Sequence, residues 1–218
     1  MAAAQADLVM KLNLESSKIK LVVKIKDDKI RYDTFIDENE VWSIIADLKT
    51  GDRFRLDHMT KKIVKNPSIL HDYTNATAKV EGLKFEDSGK SEMLNKYEAE
   101  IYTWTDSRGR TEKLWIAKNY PNFKEMRNDL SKIDIGKSQN IKIGIPQLSS
   151  LSGMPLKLII SDKGDVRGLT FTLLSAKEES IDNTNFDLPR DYHFSGPTNA
   201  PIASTNEVTF ATNGPAIK

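Results

Sequence analysis

The chain has 218 residues and no cysteine, and its 32 Lys and Arg nearly balance 31 Asp and Glu, for a formal charge of +1 at pH 7. The two signs are interspersed along the chain, which argues against nucleic acid as a partner, because binding it requires a basic stripe. The absence of cysteine excludes disulfides, thiolate metal sites and cysteine nucleophiles, and no stretch approaches the roughly 20 apolar residues of a transmembrane segment.

The first residues lie outside the predicted domain. Residues 1–6 are either a cloning scar or the remnant of a secretion signal, because Ala4-Gln5-Ala6 fits the small-x-small pattern at which signal peptidase cuts. We place one β domain at residues 7–194, a length that a single sandwich or barrel routinely fills.

The first half of this domain predicts two β-hairpins. Apolar Ile19, Leu21, Val23 and Ile25 alternate with lysines, as expected of a strand with one buried face. Turn signals at Asp27-Asp28 and Thr50-Gly51-Asp52 separate such segments. The strands are predicted at residues 18–26, 30–36, 41–48 and 53–57.

Three more strands and one helix follow, the strands at residues 78–86, 97–105 and 111–117. The helix is predicted at 121–133, because Pro suits a first turn and Phe123, Met126 and Leu130 recur at a spacing of three to four residues. We expect these three side chains to face the sheet. Residues 135–152 show no clean period and predict a long irregular segment, which with the helix forms the available lid.

A last hairpin is predicted at residues 154–161 and 168–176, which brings the count to about ten strands. The fold class is therefore mostly β, an antiparallel sheet with a helix and loop lid. Residues 195–218 have a linker-like composition and are predicted to be a tail, in which only 208–211 can add a short strand.

The sequence lacks the patterns of familiar catalysis. Its three histidines, His58, His71 and His193, stand at no metal-ligand spacing, and no GxSxG, P-loop or GxGxxG occurs. Paired acids such as Glu98 and Glu100 more simply form the solvated face of a strand. We therefore predict no enzyme, no catalytic residue, no metal and no cofactor.

Aromatic side chains are the best candidates for a ligand surface. Alternation along 97–105 places Tyr97, Ala99 and Ile101 on one face, and Tyr102 and Trp104 on the other. Tryptophans in a β domain also fill core, so the two roles stay open.

Several short segments occur in an order that matches a known family: Ile30-Arg31-Tyr32-Asp33, Ile44-Ile45-Ala46-Asp47-Leu48-Lys49, Tyr97-Glu98-Ala99-Glu100, Leu114-Trp115-Ile116-Ala117-Lys118, Gly153-Met154-Pro155-Leu156-Lys157 and Phe186-Asp187-Leu188-Pro189. They resemble those of an uncharacterised family of bacterial secreted proteins in the lipoprotein-carrier (LolA and LolB) superfamily. They follow the family's order over roughly residues 7–194. The resemblance implies a strongly curved antiparallel sheet, a half-barrel, whose concave apolar face holds acyl chains in the carriers. It also implies a secreted protein of the periplasm or cell envelope, with no catalytic residues to carry over.

These patterns leave two functions open. The first is a non-catalytic binding protein that holds an apolar ligand, a lipid or a lipidated protein, on the concave face. The second is an envelope protein–protein interaction module whose core is filled by its own side chains; a hydrolase is a distant third. We expect the ligand to contact Trp42, Ile44, Tyr102, Trp104, Trp115, Phe123, Met126, Leu130 and Phe171.

Overall fold

The computed structural model describes residues 7–15, 18–65, 85–105, 111–133, 151–160 and 169–195. Within them the chain forms twelve strands, one α-helix and a short 3-10 helix at Asn183–Phe186. In chain order the strands and the α-helix are β1 (Asp7–Leu14), β2 (Ile19–Lys26), β3 (Lys29–Ile36), β4 (Asn39–Asp47), β5 (Arg53–Asp57), β6 (Lys62–Lys65), β7 (Glu86–Leu94), β8 (Tyr97–Thr105), β9 (Thr111–Ala117), α1 (Phe123–Ile133), β10 (Met154–Ile160), β11 (Leu169–Glu179) and β12 (His193–Phe194).

All twelve strands belong to one curved sheet that does not close into a barrel. The order across the sheet is β12-β6-β5-β4-β3-β2-β1-β11-β10-β9-β8-β7. Neighbouring strands are antiparallel, with one exception at the edge, where β12 runs parallel to β6. The predicted mostly β fold, with a curved antiparallel sheet and a helix, is confirmed.

The sheet has twelve strands rather than about ten, because β1, β6, β7 and β12 were not predicted. In β1 the alternation is hidden, since Leu8 and Met10 enter one core and Val9 enters another on the opposite face. The strands β6 and β12 have four and two residues, too few to show a period. The strand predicted at 78–86 lies almost wholly outside the described residues, as do the irregular segment at 135–150 and the tail beyond Ser195.

The helix packs on one face of the sheet, here called the helix face. Phe123, Met126 and Leu130 are 8%, 2% and 0% exposed and belong to a core with Leu8, Val23, Ile25, Ile30, Ala99, Trp115 and Leu156. The expectation that these three side chains face the sheet is confirmed. No helix in the described ranges is long and apolar enough to cross a membrane.

The opposite face of the sheet carries two smaller cores. One joins Ile45, Leu56 and Ile63 to Ile181 and Phe186 of a covering segment, residues 181–192, here called the strap. The other surrounds Trp104 with Leu114, Ile116 and Leu151. The sheet is thus covered on the helix face by α1 and on part of its opposite face by the strap.

Candidate functional site

The structure brings together four of the nine predicted ligand residues. Trp115 of β9 joins Phe123, Met126 and Leu130 in the helix-side core. Its indole Nε1 donates to Glu92 Oε2 at 2.9 Å, and Lys157 Nζ lies 5.5 Å from its ring centroid. The space between helix and sheet is filled at this point by side chains of the protein itself.

Tyr102 and Trp104 lie in the separate core on the opposite face. Trp104 is 2% exposed and packs against Phe85, with ring centroids 5.3 Å apart. The Tyr102 hydroxyl donates to Glu100 Oε2 at 2.7 Å, and this hydrogen bond, with burial, raises the pKa of Tyr102. The predicted alternation along β8 is therefore right. It places these two side chains on the face of the sheet opposite the helix.

The remaining three residues lie away from the helix. Trp42 and Ile44 are half-buried on β4, where Ile44 pairs with Tyr32 on the helix face. Phe171 lies on β11 in register with Leu14 and Leu158. The nine predicted residues do not form one site.

A cleft of about 510 Å³ opens beside the first turn of the helix. Its floor includes Met126, Leu156 and Leu173, which are 2%, 2% and 3% exposed and belong to the helix-side core. Its rim includes Lys96 and Leu174, and Leu174 is 48% exposed. An apolar floor that continues the core, with a more polar rim, suits an amphipathic ligand.

Tyr120 fixes one wall of this cleft to β11. Its hydroxyl accepts from Ala176 N at 3.0 Å and donates to Ala176 O at 3.1 Å, next to the point where the pairing of β1 and β11 is interrupted. Burial raises the pKa of Tyr120, against the opposing effect of the Ala176 hydrogen bond. The Tyr97 ring packs against the Tyr120 ring at a tilt of 42°, with 4.7 Å between centroids, so this wall is preorganised.

The helix face continues beyond the helix as rows of register partners. One row runs through Met10, Val23, Tyr32, Ile44 and Arg55, and the next through Leu12, Leu21, Thr34, Trp42 and Asp57. A third row runs through Leu14, Ile19 and Ile36. Burial decreases outward along the first row, whereas Thr34 in the second row is 1% exposed. Across the three rows, eight apolar side chains are half-buried or exposed. We call this set the apolar strip: Leu12, Leu14, Ile19, Leu21, Tyr32, Ile36, Trp42 and Ile44.

The apolar strip and the cleft are neighbours. Leu12 of the strip is the register partner of Leu173 in the cleft floor. The two surfaces therefore form one continuous apolar path on the helix face, from β4 across β1 to the cleft.

The polar network beneath the strap was not predicted from the sequence. Lys24 Nζ bonds Asn185 Oδ1 at 3.0 Å and Asp33 Oδ2 at 3.1 Å, and Arg31 donates to Asn185 O at 2.8 Å. Lys26 Nζ donates to Ile181 O at 2.6 Å. Alternation had suggested a solvated strand face here, and only the strap, which is distant in sequence, shows that the face is covered.

His58 links this network to the end of the strap. Ser43 Oγ lies 2.7 Å from Asp33 Oδ1, 2.8 Å from Glu40 Oε1 and 2.7 Å from His58 Nε2. A hydroxyl has one proton and ionised carboxylates only accept, so Ser43 donates to a carboxylate and His58 Nε2 donates to Ser43. When the imidazole is neutral, its Nδ1 accepts from the Tyr192 hydroxyl at 2.7 Å.

This serine–histidine contact is not arranged for catalysis. Ser43 is 0% exposed, and its hydroxyl lies within hydrogen-bond distance of the Asp33 and Glu40 carboxylates, so a substrate cannot reach it. The network therefore holds the strap on the sheet. Among the described residues, no group of three His, Asp or Glu side chains is placed to hold a metal ion.

Asp33 is the charged centre of the network. Burial alone would raise the pKa of its carboxyl group, but hydrogen bonds from Arg31 and Ser43 and the charges of Arg31 and Lys24 outweigh it and lower the pKa. The carboxylate is thus ionised at neutral pH in a position from which solvent is excluded.

Comparison with known proteins bears on the family and the fold. A family model described as "Domain of unknown function (DUF4412)" matches residues 6–192. An uncharacterized conserved protein from Thermus thermophilus is similar in structure, with 10% identity, a TM-score of 0.52, and coverage of 88% of this chain and 91% of that one. At this identity the similarity concerns the fold alone.

PNGF-II is also similar in two crystal forms, at 12% and 11% identity and TM-scores of 0.39 and 0.38. The match covers 88% of this chain but 31% of PNGF-II. The search of curated proteins gave no significant match.

Proposed function

The chain belongs to the DUF4412 family, and from the geometry of its helix face we propose that it is a non-catalytic binding protein for an apolar or amphipathic ligand. The ligand lies in the cleft beside the helix and extends along the apolar strip. One observation carries this proposal: a cleft of about 510 Å³ has a floor made of core side chains. Ligand pockets typically measure about 300–1,000 Å³ and combine an apolar lining with a few polar groups.

The setting of this function rests on the resemblance of the sequence to the lipoprotein-carrier superfamily. We propose that the protein is secreted to the periplasm or cell envelope and that its ligand is a lipid or a lipidated protein. The continuous apolar path from the apolar strip to the cleft supports a chain-like ligand over a compact one.

A second candidate is a protein-interaction module of the cell envelope. It is favoured by the filled space under the helix, where Leu130 and Trp115 are 0% and 6% exposed. It predicts no lipid binding, so the two candidates differ in a measurable way.

Leu174 offers a way to block the cleft without disturbing the core. It is 48% exposed at the rim, so Leu174→Trp should place a larger side chain over the opening while the fold is retained. We expect at least a tenfold loss of affinity for octadecanoate, whose chain is long enough to extend from the apolar strip into the cleft, measured by isothermal titration calorimetry.

Met59→Trp is the matched control, because Met59 is 81% exposed and lies in the turn after β5. It should bind octadecanoate like the parent. Equal affinities for all three proteins would place the ligand elsewhere and contradict the cleft as its site.

A further inference from the structure

At the outer edge of the apolar strip, an arginine lies over the ring of a tryptophan. The Arg55 guanidinium carbon lies 5.8 Å from the Trp42 ring centroid, and Arg55 is the register partner of Ile44. Both Arg55 and Trp42 are half-buried. The guanidinium is thus held at the end of an apolar surface, partly withdrawn from water.

The charge of Arg55 has no salt-bridge partner in the part of the chain that the structure describes. The neighbouring Asp57 instead accepts the backbone N–H of Thr60 at 2.9 Å. That hydrogen bond is the largest cause of the lowered pKa of Asp57, and the charge of Arg55 is a smaller cause, so the two side chains interact electrostatically without forming a salt bridge.

The geometry of a guanidinium over an indole suits an anion. The ring attracts the cation, and the planar fork of N–H groups matches the paired oxygens of a carboxylate or phosphate. Strands lie about 4.8 Å apart, so the four steps from β5 to β1 span about 19 Å. That length fits an extended chain whose head is at Arg55.

We propose that Arg55, which lies over the Trp42 ring, binds the anionic headgroup of a single-chain amphiphile whose hydrocarbon lies on the apolar strip. The headgroup is a carboxylate or a phosphate. This inference rests on the proposed function and specifies the ligand class: an anionic amphiphile is preferred over neutral and cationic ones with the same chain.

The test compares four probes with the same dodecyl chain, each below its micelle concentration: dodecanoate, dodecyl phosphate, dodecyl maltoside and dodecyltrimethylammonium. Affinities are measured by calorimetry for the parent, Arg55→Gln and Lys65→Gln. Lys65 is the matched control, because it pairs with Phe54 and so lies on the opposite face of the sheet next to β5. Both variants lose one positive charge.

We expect the parent to bind one or both anionic probes at least tenfold more tightly than the other two. Arg55→Gln should lose that preference and keep the affinity for dodecyl maltoside, whereas Lys65→Gln should stay within twofold of the parent. The better anionic probe then identifies the headgroup. Arg55→Lys, which keeps the charge but not the planar fork, should be intermediate and provides a second variant if Arg55→Gln does not fold.

Three results would overturn the inference. If all four probes bind equally, or if the two glutamine variants behave alike, the apolar site stands but the headgroup site does not. If no probe binds, the proposed function fails and this inference with it.

Discussion

Leu130→Asp is expected to lower the free energy of unfolding by more than about 4 kcal/mol, a magnitude that single substitutions reach only when they severely disrupt the core. Leu130 is fully buried in the helix-side core, so the substitution removes apolar contacts and places a carboxyl group where water cannot reach it. Urea denaturation followed by circular dichroism measures this change.

The control is Asn128→Asp, which adds the same charge at an exposed position of the same helix. It should change the unfolding free energy by no more than about 0.5 kcal/mol. A Leu130→Asp protein that unfolds like the parent would show that the helix does not pack on the sheet.

Asp33→Asn is expected to destabilise the protein at pH 7 by about 3 kcal/mol, in the range found when one partner of a buried ion pair is removed. The Asp33 side chain is 3% exposed, and its oxygens are bonded to Arg31, Lys24 and Ser43. The asparagine has nearly the same shape but leaves the two cations without their shared counter-charge.

The effect of this substitution should depend on pH. Because the pKa of Asp33 is lowered in the folded state, its contribution is present above the unfolded-state pKa of about 3.9 and is lost as pH falls through the folded-state value. The difference between parent and Asp33→Asn should therefore be largest near neutral pH and shrink in strong acid.

Asp191→Asn tests whether the destabilisation expected of Asp33→Asn is due to the burial of the carboxylate. The pKa of Asp191 is also lowered, first by its hydrogen bond from Lys61, but its side chain is 63% exposed. Denaturation curves for this variant should match those of the parent. A destabilisation by Asp33→Asn that did not diminish in acid would contradict the ionised buried carboxylate.

Local sequence patterns predicted the strands and the helix better than they predicted which elements pack together. The period of two identified β2 to β5, and the spacing of Phe123, Met126 and Leu130 identified both the helix and its buried face. The strand β7 shows no apolar period because it is an exposed edge strand, so the sequence pattern did not predict where it begins.

The candidate site was harder to predict because it depends on contacts between distant residues. Strand alternation assigned Tyr102 and Trp104 to the same face, but it did not show that this face is the one opposite the helix. The cleft joins Tyr120 and Leu174, which are brought together by the sheet order. The strap network likewise joins His58 to Tyr192, 134 positions further along the chain.

Native mass spectrometry of the protein extracted from cells under non-denaturing conditions tests ligand binding in the cleft most directly. We expect the parent to retain a co-purified amphiphile, and Leu174→Trp to carry much less of it. A parent protein with the mass of the bare chain, together with no heat on titration with dodecanoate, would contradict ligand binding and leave the protein-interaction module as the better explanation.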